Sequence, residues 1–314
     1  MNEPPYIVLH GGFHKTATSH IQSMLARNAK MLDRAGVHYV HHRDTRKRLT
    51  VPVQCNVYNS VGMDWDPKIS DEELREMTAA FFDELLPRGG GRLILSDENM
   101  AGHCGHCVKR GVLYRWRRAL IEVFAAQFPQ PVAEVHLGVR NYADFFASAY
   151  VEYLRSVSGQ WFVDEKRMRR QVMENMPSWH NILKSVVTFF PGARVFVWKY
   201  EDFRQMDNLI LANLCGPSVD VGDLKAPKDQ NKRPTASGRA VAELLHLIHL
   251  DGADAALERR VELQEAYPRG ATYGGYDPWT AHERAHLTRI YERDIEEIRA
   301  NPDLTLLDAE EVSA

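Results

Sequence analysis

Tyr6-Ile7-Val8-Leu9-His10-Gly11-Gly12-Phe13-His14-Lys15-Thr16-Ala17-Thr18-Ser19 is the stretch that decides the reading of this chain. Its first five residues form a short, largely apolar β-strand, Gly11 through Thr18 a tight turn, and Ser19 through Leu32 a helix. A strand that passes through glycines, a lysine and hydroxyls into a helix is an anion-binding arrangement. Unpaired N–H groups at the helix start converge on a phosphate or sulfate, the helix dipole favours negative charge there, and Lys15 adds a full positive charge. The spacing is not that of a Walker loop, which needs a glycine directly before the lysine where this chain has His14.

Working outward, Gly36 to Val40 reads as a second short strand, and His41 to Asn59 as a connection without apolar period, carrying the basic cluster Arg43, Arg46, Lys47 and Arg48. That segment is either solvated or a loop over the site. Ser70 caps a helix with acids in its first turn and Leu74, Met77, Phe81, Phe82 and Leu85 as its stripe. Arg92 to Leu95 is a strand ending in Ser96-Asp97-Glu98-Asn99, followed by a helix from about Val112 to Phe128. Val132 to Val139 is a strand that delivers Arg140 at its carboxyl end, and Asp144 to Val157 is helical. Helices follow over Phe162 to Met176 and after Ser178, then a strand from Arg194 to Trp198. This alternation predicts an α/β fold with a mostly parallel central sheet flanked by helices. Ligands of such sheets sit beyond the carboxyl ends of the strands, where Lys15, Glu98, Arg140 and Tyr200 fall. Beyond Pro217 the pattern is helical throughout, with helices capped at Thr235 or Ser237, spanning Ala253 to Tyr267, and running from Thr280 to Arg299. No internal repeat divides the chain, so residues 1–314 read as one domain. Its nucleotide core is about 6–202, and a helical portion, about 217–314, packs on it.

The string from Gly12 to Gln22, with Leu25, Asn28, Leu32, Gly36, Val37 and Tyr39 after it, resembles the opening of bacterial P-loop-type sulfotransferases. The resemblance implies a P-loop nucleotide-hydrolase-like sulfotransferase fold. It also implies 3'-phosphoadenosine 5'-phosphosulfate as donor, with Gly12, Lys15, Thr16, Ala17, Thr18 and Ser19 around its 5'-phosphosulfate and no metal for catalysis. Ala17 stands where the family has glycine. At positive φ an alanine would be strained and in a helix harmless; the expectation here is helix. Arg140, Asp144, Ser148 and Tyr150 resemble the second family signature, in which the arginine and serine clamp the 3'-phosphate. Ser96-Asp97-Glu98-Asn99 resembles the family's Ser-Ser-Glu element. Glu98 is thus the candidate general base, with His14 and Asp97 as alternatives. Lys15 would stabilise charge on the leaving oxygen. Asn231, Lys232 and Arg233 are expected to close over the nucleotide, and Tyr200, Phe203 and Trp198 are candidates for an adenine slot.

The 314 residues suffice for a full core, and a formal net charge of -3 provides no general attraction to nucleic acid. Four cysteines are too few for a disulfide-built fold, no signal-type segment precedes the first strand, and no run approaches the roughly 20 apolar residues of a membrane span. The expectation is a cytoplasmic protein whose oligomeric state, homo-oligomeric or not, stays open. His103-Cys104-Gly105-His106-Cys107 reads as a zinc tetrad without a second pair, as an acceptor-facing segment, or as ordinary packing. The function expected from the resemblance is sulfuryl transfer to a hydroxyl of a carbohydrate or other small acceptor. The alternatives are a magnesium-dependent P-loop small-molecule kinase and a non-catalytic nucleotide-binding or interaction protein.

Overall fold

A computed structural model describes residues 5–86, 90–227 and 235–309. Its centre is a six-stranded sheet made of β1 (Tyr6–His10), β2 (Val37–Val40), β3 (Arg92–Ser96), β4 (Val132–Val139), β5 (Arg194–Lys199) and β6 (Leu304–Leu307), in the order β2-β3-β1-β4-β5-β6. Every neighbouring pair is parallel. Side chains alternate across the pleat, so Ile7 and Leu9 of β1 join one buried cluster while Val8 joins the other. Helices Thr18–Arg34 and Phe203–Cys215 cover the Val8 face; Asp71–Leu85, Arg117–Ala125, Tyr142–Ser156 and Trp179–Phe189 cover the opposite one. The chain leaves β1 toward β2 and leaves β4 toward β5, in opposite directions from adjacent strands. The crevice beyond the carboxyl ends of β1 and β4 is therefore the topological switch point of the sheet.

Caps fix many of the element boundaries. Ser70 and Glu73 form a reciprocal capping box, as do Thr280 and Glu283, and Asn141, Ser178 and Ser237 each accept a first-turn N–H. The C-terminal helix Ala281–Ala300 packs on the core. Asp294 accepts from the Trp179 N–H at 2.5 Å, and the Tyr291 hydroxyl donates to Glu201 at 2.8 Å.

Several expectations need correction. Residues 42–60 are helical, as His42–Thr45, a π-helical turn Arg46–Thr50 and the helix Val51–Ser60. Pro52 through Tyr58 are all buried, and a helix enclosed on all sides shows no amphipathic period. The helix expected from Val112 begins only at Arg117, because Tyr114 has φ 44° and a left-handed residue cannot continue a right-handed helix. The expected helix from Ala253 to Tyr267 breaks at Arg259 into Ala253–Glu258 and Arg260–Ala266. The C-terminal portion is not wholly helical, since it supplies β6 alongside β5. Among the described residues no helix is long and apolar enough to cross a membrane.

Candidate functional site

The turn after β1 is built around the carbonyl of Phe13. The Thr16 and Thr18 hydroxyls both donate to it, at 2.5 and 3.1 Å, while the Phe13 ring stacks on Trp179 with centroids 4.9 Å apart. Gly12 is obligatory there, since a Cβ would lie 2.5 Å from the Thr18 hydroxyl oxygen. Ala17 is left-handed at φ 69°, not helical as expected, and Lys15 is left-handed at φ 66°. Drawing two threonine hydroxyls onto one carbonyl forces the intervening backbone through this region. Ala17 precedes the helix Thr18–Arg34 with no side-chain cap, and among the described residues no acceptor meets the N–H groups of Lys15 to Ser19. Left-handed residues that turn successive amides the same way form an anion nest at a helix start. Ser19 is exposed at its rim, whereas the Thr16 and Thr18 hydroxyls are spent inside the turn.

The two carboxylates after β3 have separate tasks. The Asp97 side chain is 2% exposed and grips Arg46, accepting from Nη2 at 2.8 Å and Nε at 3.1 Å, and also takes a bond from the Asn99 amide at 2.8 Å. Glu98, 21% exposed, touches the same Arg46 Nη2 at 3.2 Å. Burial pushes the Glu98 carboxyl above its usual range against the opposing pull of Arg46 and Lys15. A half-desolvated carboxylate of raised basicity beside a cation is suited to take a proton.

His14 is fixed differently. The Tyr114 hydroxyl accepts the His14 backbone N–H at 3.1 Å and lies 3.0 Å from Nδ1. With its oxygen already accepting, the buried hydroxyl finds its own acceptor in Nδ1, which places the ring proton on Nε2. Burial first, and then His103, Lys15 and Arg46, hold His14 well below its ordinary pKa. A neutral imidazole that carries its proton on Nε2 and accepts from Tyr114 at Nδ1 has no free lone pair for an acceptor proton, whereas the Glu98 carboxylate retains one.

On the other side of the turn, Arg140 leaves β4 and donates from Nη1 to the Lys15 carbonyl at 2.9 Å. Its guanidinium lies 4.2 Å from the Tyr200 ring centroid, and its Nε is buried with no partner among the described residues. Lys15 Nζ meets Glu152 at 3.3 Å, one helical turn beyond Ser148 on the helix Tyr142–Ser156. The Lys15 turn and the Arg140/Ser148 pair thus share one location. Tyr150 instead bonds the Val163 carbonyl, and Asp144 pairs with Arg284. Trp198 is wholly buried against His10 and lines no open slot, and Phe203 is buried edge-on to His20, so of the three aromatic candidates Tyr200 lies nearest the site. Asn231, Lys232 and Arg233 lie outside the described residues.

Sequence reading missed Arg46, Tyr114 and Glu152 as members of this site. The four-residue step from Ser148 to Glu152 is a legible signal. For Arg46 the only hint is its basic cluster, and for Tyr114 there is none. His103 caps the helix Cys104–Arg110 by accepting the Gly105 N–H at 3.1 Å, with its ring 6.3 Å from that of His14. Cys104 and Cys107 are buried free thiols, their pKa values raised by burial. Among the described residues no three His, Cys, Asp or Glu side chains group as a metal site would. No protein-family model, curated protein or solved structure matches this chain.

Proposed function

We propose that this chain is a P-loop-like sulfotransferase that moves a sulfuryl group from 3'-phosphoadenosine 5'-phosphosulfate to a hydroxyl of a carbohydrate or other small acceptor. The observation that carries this reading is convergence. The Lys15 turn, Glu98 and Arg140 stand at the carboxyl ends of β1, β3 and β4, three adjacent strands, and Arg140 bonds the turn directly. In this reading the amide nest and Lys15 hold the phosphosulfate, and Arg140 with Ser148 receives the 3'-phosphate. Glu98 takes the acceptor's hydroxyl proton while the new S–O bond forms and the bond from sulfur to the bridging phosphate oxygen breaks. The electron pair leaves with that oxygen, where Lys15 and fixed N–H dipoles stabilise the charge without reorganisation. Positioning and electrostatics supply most of the acceleration, as in phosphoryl transfer.

Calorimetry with 3'-phosphoadenosine 5'-phosphate against adenosine monophosphate tests the reading. Tighter binding of the bisphosphate is expected, lost in Lys15→Ala. Glu98→Gln should keep bisphosphate affinity while lowering sulfuryl transfer by about 10²–10⁴-fold. Indifference to the 3'-phosphate, or binding of adenosine triphosphate only with magnesium, would refute the proposal in favour of a kinase.

A further inference from the structure

A cleft of about 320 Å³ opens between the helices Arg117–Ala125 and Trp179–Phe189. Seven residues line it: Arg115, Arg117, Arg118, Asn181, Lys184, Ser185 and Thr188. Four are cations, three are neutral and polar, and none is acidic or apolar. The Ser185 and Thr188 hydroxyls donate back to the helix carbonyls of Asn181 and Lys184 at 3.4 and 2.7 Å, which leaves the cations as the main donors into the cleft.

None of the four cations has a carboxylate within ion-pair distance among the described residues. Arginines at comparable places do: Arg48 holds Glu84, Arg169 holds Glu283, and Arg284 holds both Asp144 and Asp277. Burial alone lowers the pKa of the half-buried Arg117 guanidinium, whereas the carboxylate beside Arg48 raises that group. Among the described residues the only acceptor the Arg117 guanidinium meets is the Leu113 carbonyl, at 3.4 Å. Gathering unpaired cations in a chain of net charge -3 is unfavourable until an anion joins them.

We propose that this cleft is a second anion site, for a compact ligand bearing two or more sulfate or phosphate groups. The side chains lining it are all polar and mostly cationic, which suits an anion rather than an apolar ligand, and the volume is at the small end for ligand sites. Planar guanidinium forks match such oxyanions two bonds at a time. The cleft shares no residue with the Lys15 turn, and the buried rings of Tyr114 and Trp179, centroids 6.4 Å apart, come just before its two linings in sequence. The proposal therefore stands apart from the sulfuryl-transfer reading.

Calorimetric titration with pyrophosphate and with a disulfated disaccharide tests it. At least one should bind wild type and Lys15→Ala equally, with affinity falling steeply as salt rises. The pair Arg117→Gln/Lys184→Gln should bind at least tenfold more weakly while still binding 3'-phosphoadenosine 5'-phosphate as wild type does. Preference for the disaccharide would assign the site to a sulfated sugar, and the reverse order to a phosphate-type anion. Arg115→Gln/Arg118→Gln, both exposed and, among the described residues, held only by cation–π contacts with Trp116 and Phe189, covers the case in which the first pair misfolds, and should weaken binding at least threefold. Absence of binding to wild type, equal binding by the variants, or loss of anion binding in Lys15→Ala would overturn the proposal.

Discussion

Burial lifts the Glu98 carboxyl above its ordinary range, and neither Arg46 nor Lys15 fully reverses this. A carboxyl whose folded pKa lies above its unfolded one opposes folding once it is ionised. The opposition is absent below the unfolded value and complete above the folded one. Asp97 keeps Arg46 paired when Glu98 is replaced, since it takes two bonds from that guanidinium. Glu98→Gln is therefore expected to stabilise the protein by about 1 kcal/mol at pH 8, with the gain vanishing near pH 4. Urea unfolding of both proteins at the two pH values measures it. A variant no more stable than wild type at pH 8 would mean that Glu98 supports the fold rather than being held against it. The same contrast separates the two neighbouring acids: Asp97, buried and hydrogen-bonded on several sides, should cost stability on replacement, so the raised carboxylate is the one free to react.

The turn after β1 is the element in which local sequence and long-range demand conflict. Alanine at φ 69° costs about 1–2 kcal/mol relative to a residue at ease there, while glycine adds freedom to the unfolded chain that takes back part of the gain. Ala17→Gly is expected to stabilise by about 0.5–1 kcal/mol, raising the melting temperature by about 2 °C, and to leave anion binding at the turn intact because the nest is unchanged. A lower melting temperature would show that the Ala17 methyl packs usefully enough to outweigh the strain. The strand, turn and helix were legible because their signals are local: an apolar run, glycines, hydroxyls and a helical period within thirty-odd residues. The left-handed Ala17 was not, since only the Phe13 carbonyl, gathering two hydroxyls, dictates it. Val132–Val139 could be read to the residue because Pro131 and Arg140 punctuate it. Leu304–Leu307 could not, because four residues after a long helix become a strand only through the open edge of β5. Of the site, Lys15, Glu98 and Arg140 were legible from strand ends, whereas Arg46 and Tyr114 arrive from a helix with no period and from a residue that breaks one.

At the scale of the whole molecule, a subset of the histidines is held neutral by its surroundings. Burial lowers the pKa of His10 and His106 to about 3 and holds His14 well below its ordinary value; His103 and His136 are also lowered. Each lowered histidine contributes stability that is complete above the unfolded pKa of 6.5 and is lost as pH falls toward its folded value, because the unfolded chain binds the proton that the native state refuses. His10, His42 and His106, lowered to about 3 or 4, each cost about 1.4 kcal/mol per pH unit below 6.5, so these three cost about 4 kcal/mol by pH 5.5, and the others add in the same direction. That is a substantial part of the roughly 5–15 kcal/mol that holds a typical domain together. Glu134, lowered by its hydrogen bond to His136 and by Arg92 and Arg194, pulls in the same direction only nearer its own range. Loss of stability is thus expected to set in between about pH 6 and 5, before most carboxylates protonate. Urea titrations at pH 7.5, 6.5 and 5.5, followed by circular dichroism, should show stability falling across the last two. His106→Phe separates this cause from general charge repulsion. His106 lies among the rings of Tyr58, Trp65 and Trp116 with its Nδ1 unpartnered among the described residues, so an apolar ring fits its surroundings. The variant should lose the dependence on one proton, flattening the slope below pH 6.5 by about 1.4 kcal/mol per pH unit. An unchanged slope, or stability that stays flat down to pH 5, would rule out buried neutral histidines as the source of acid sensitivity.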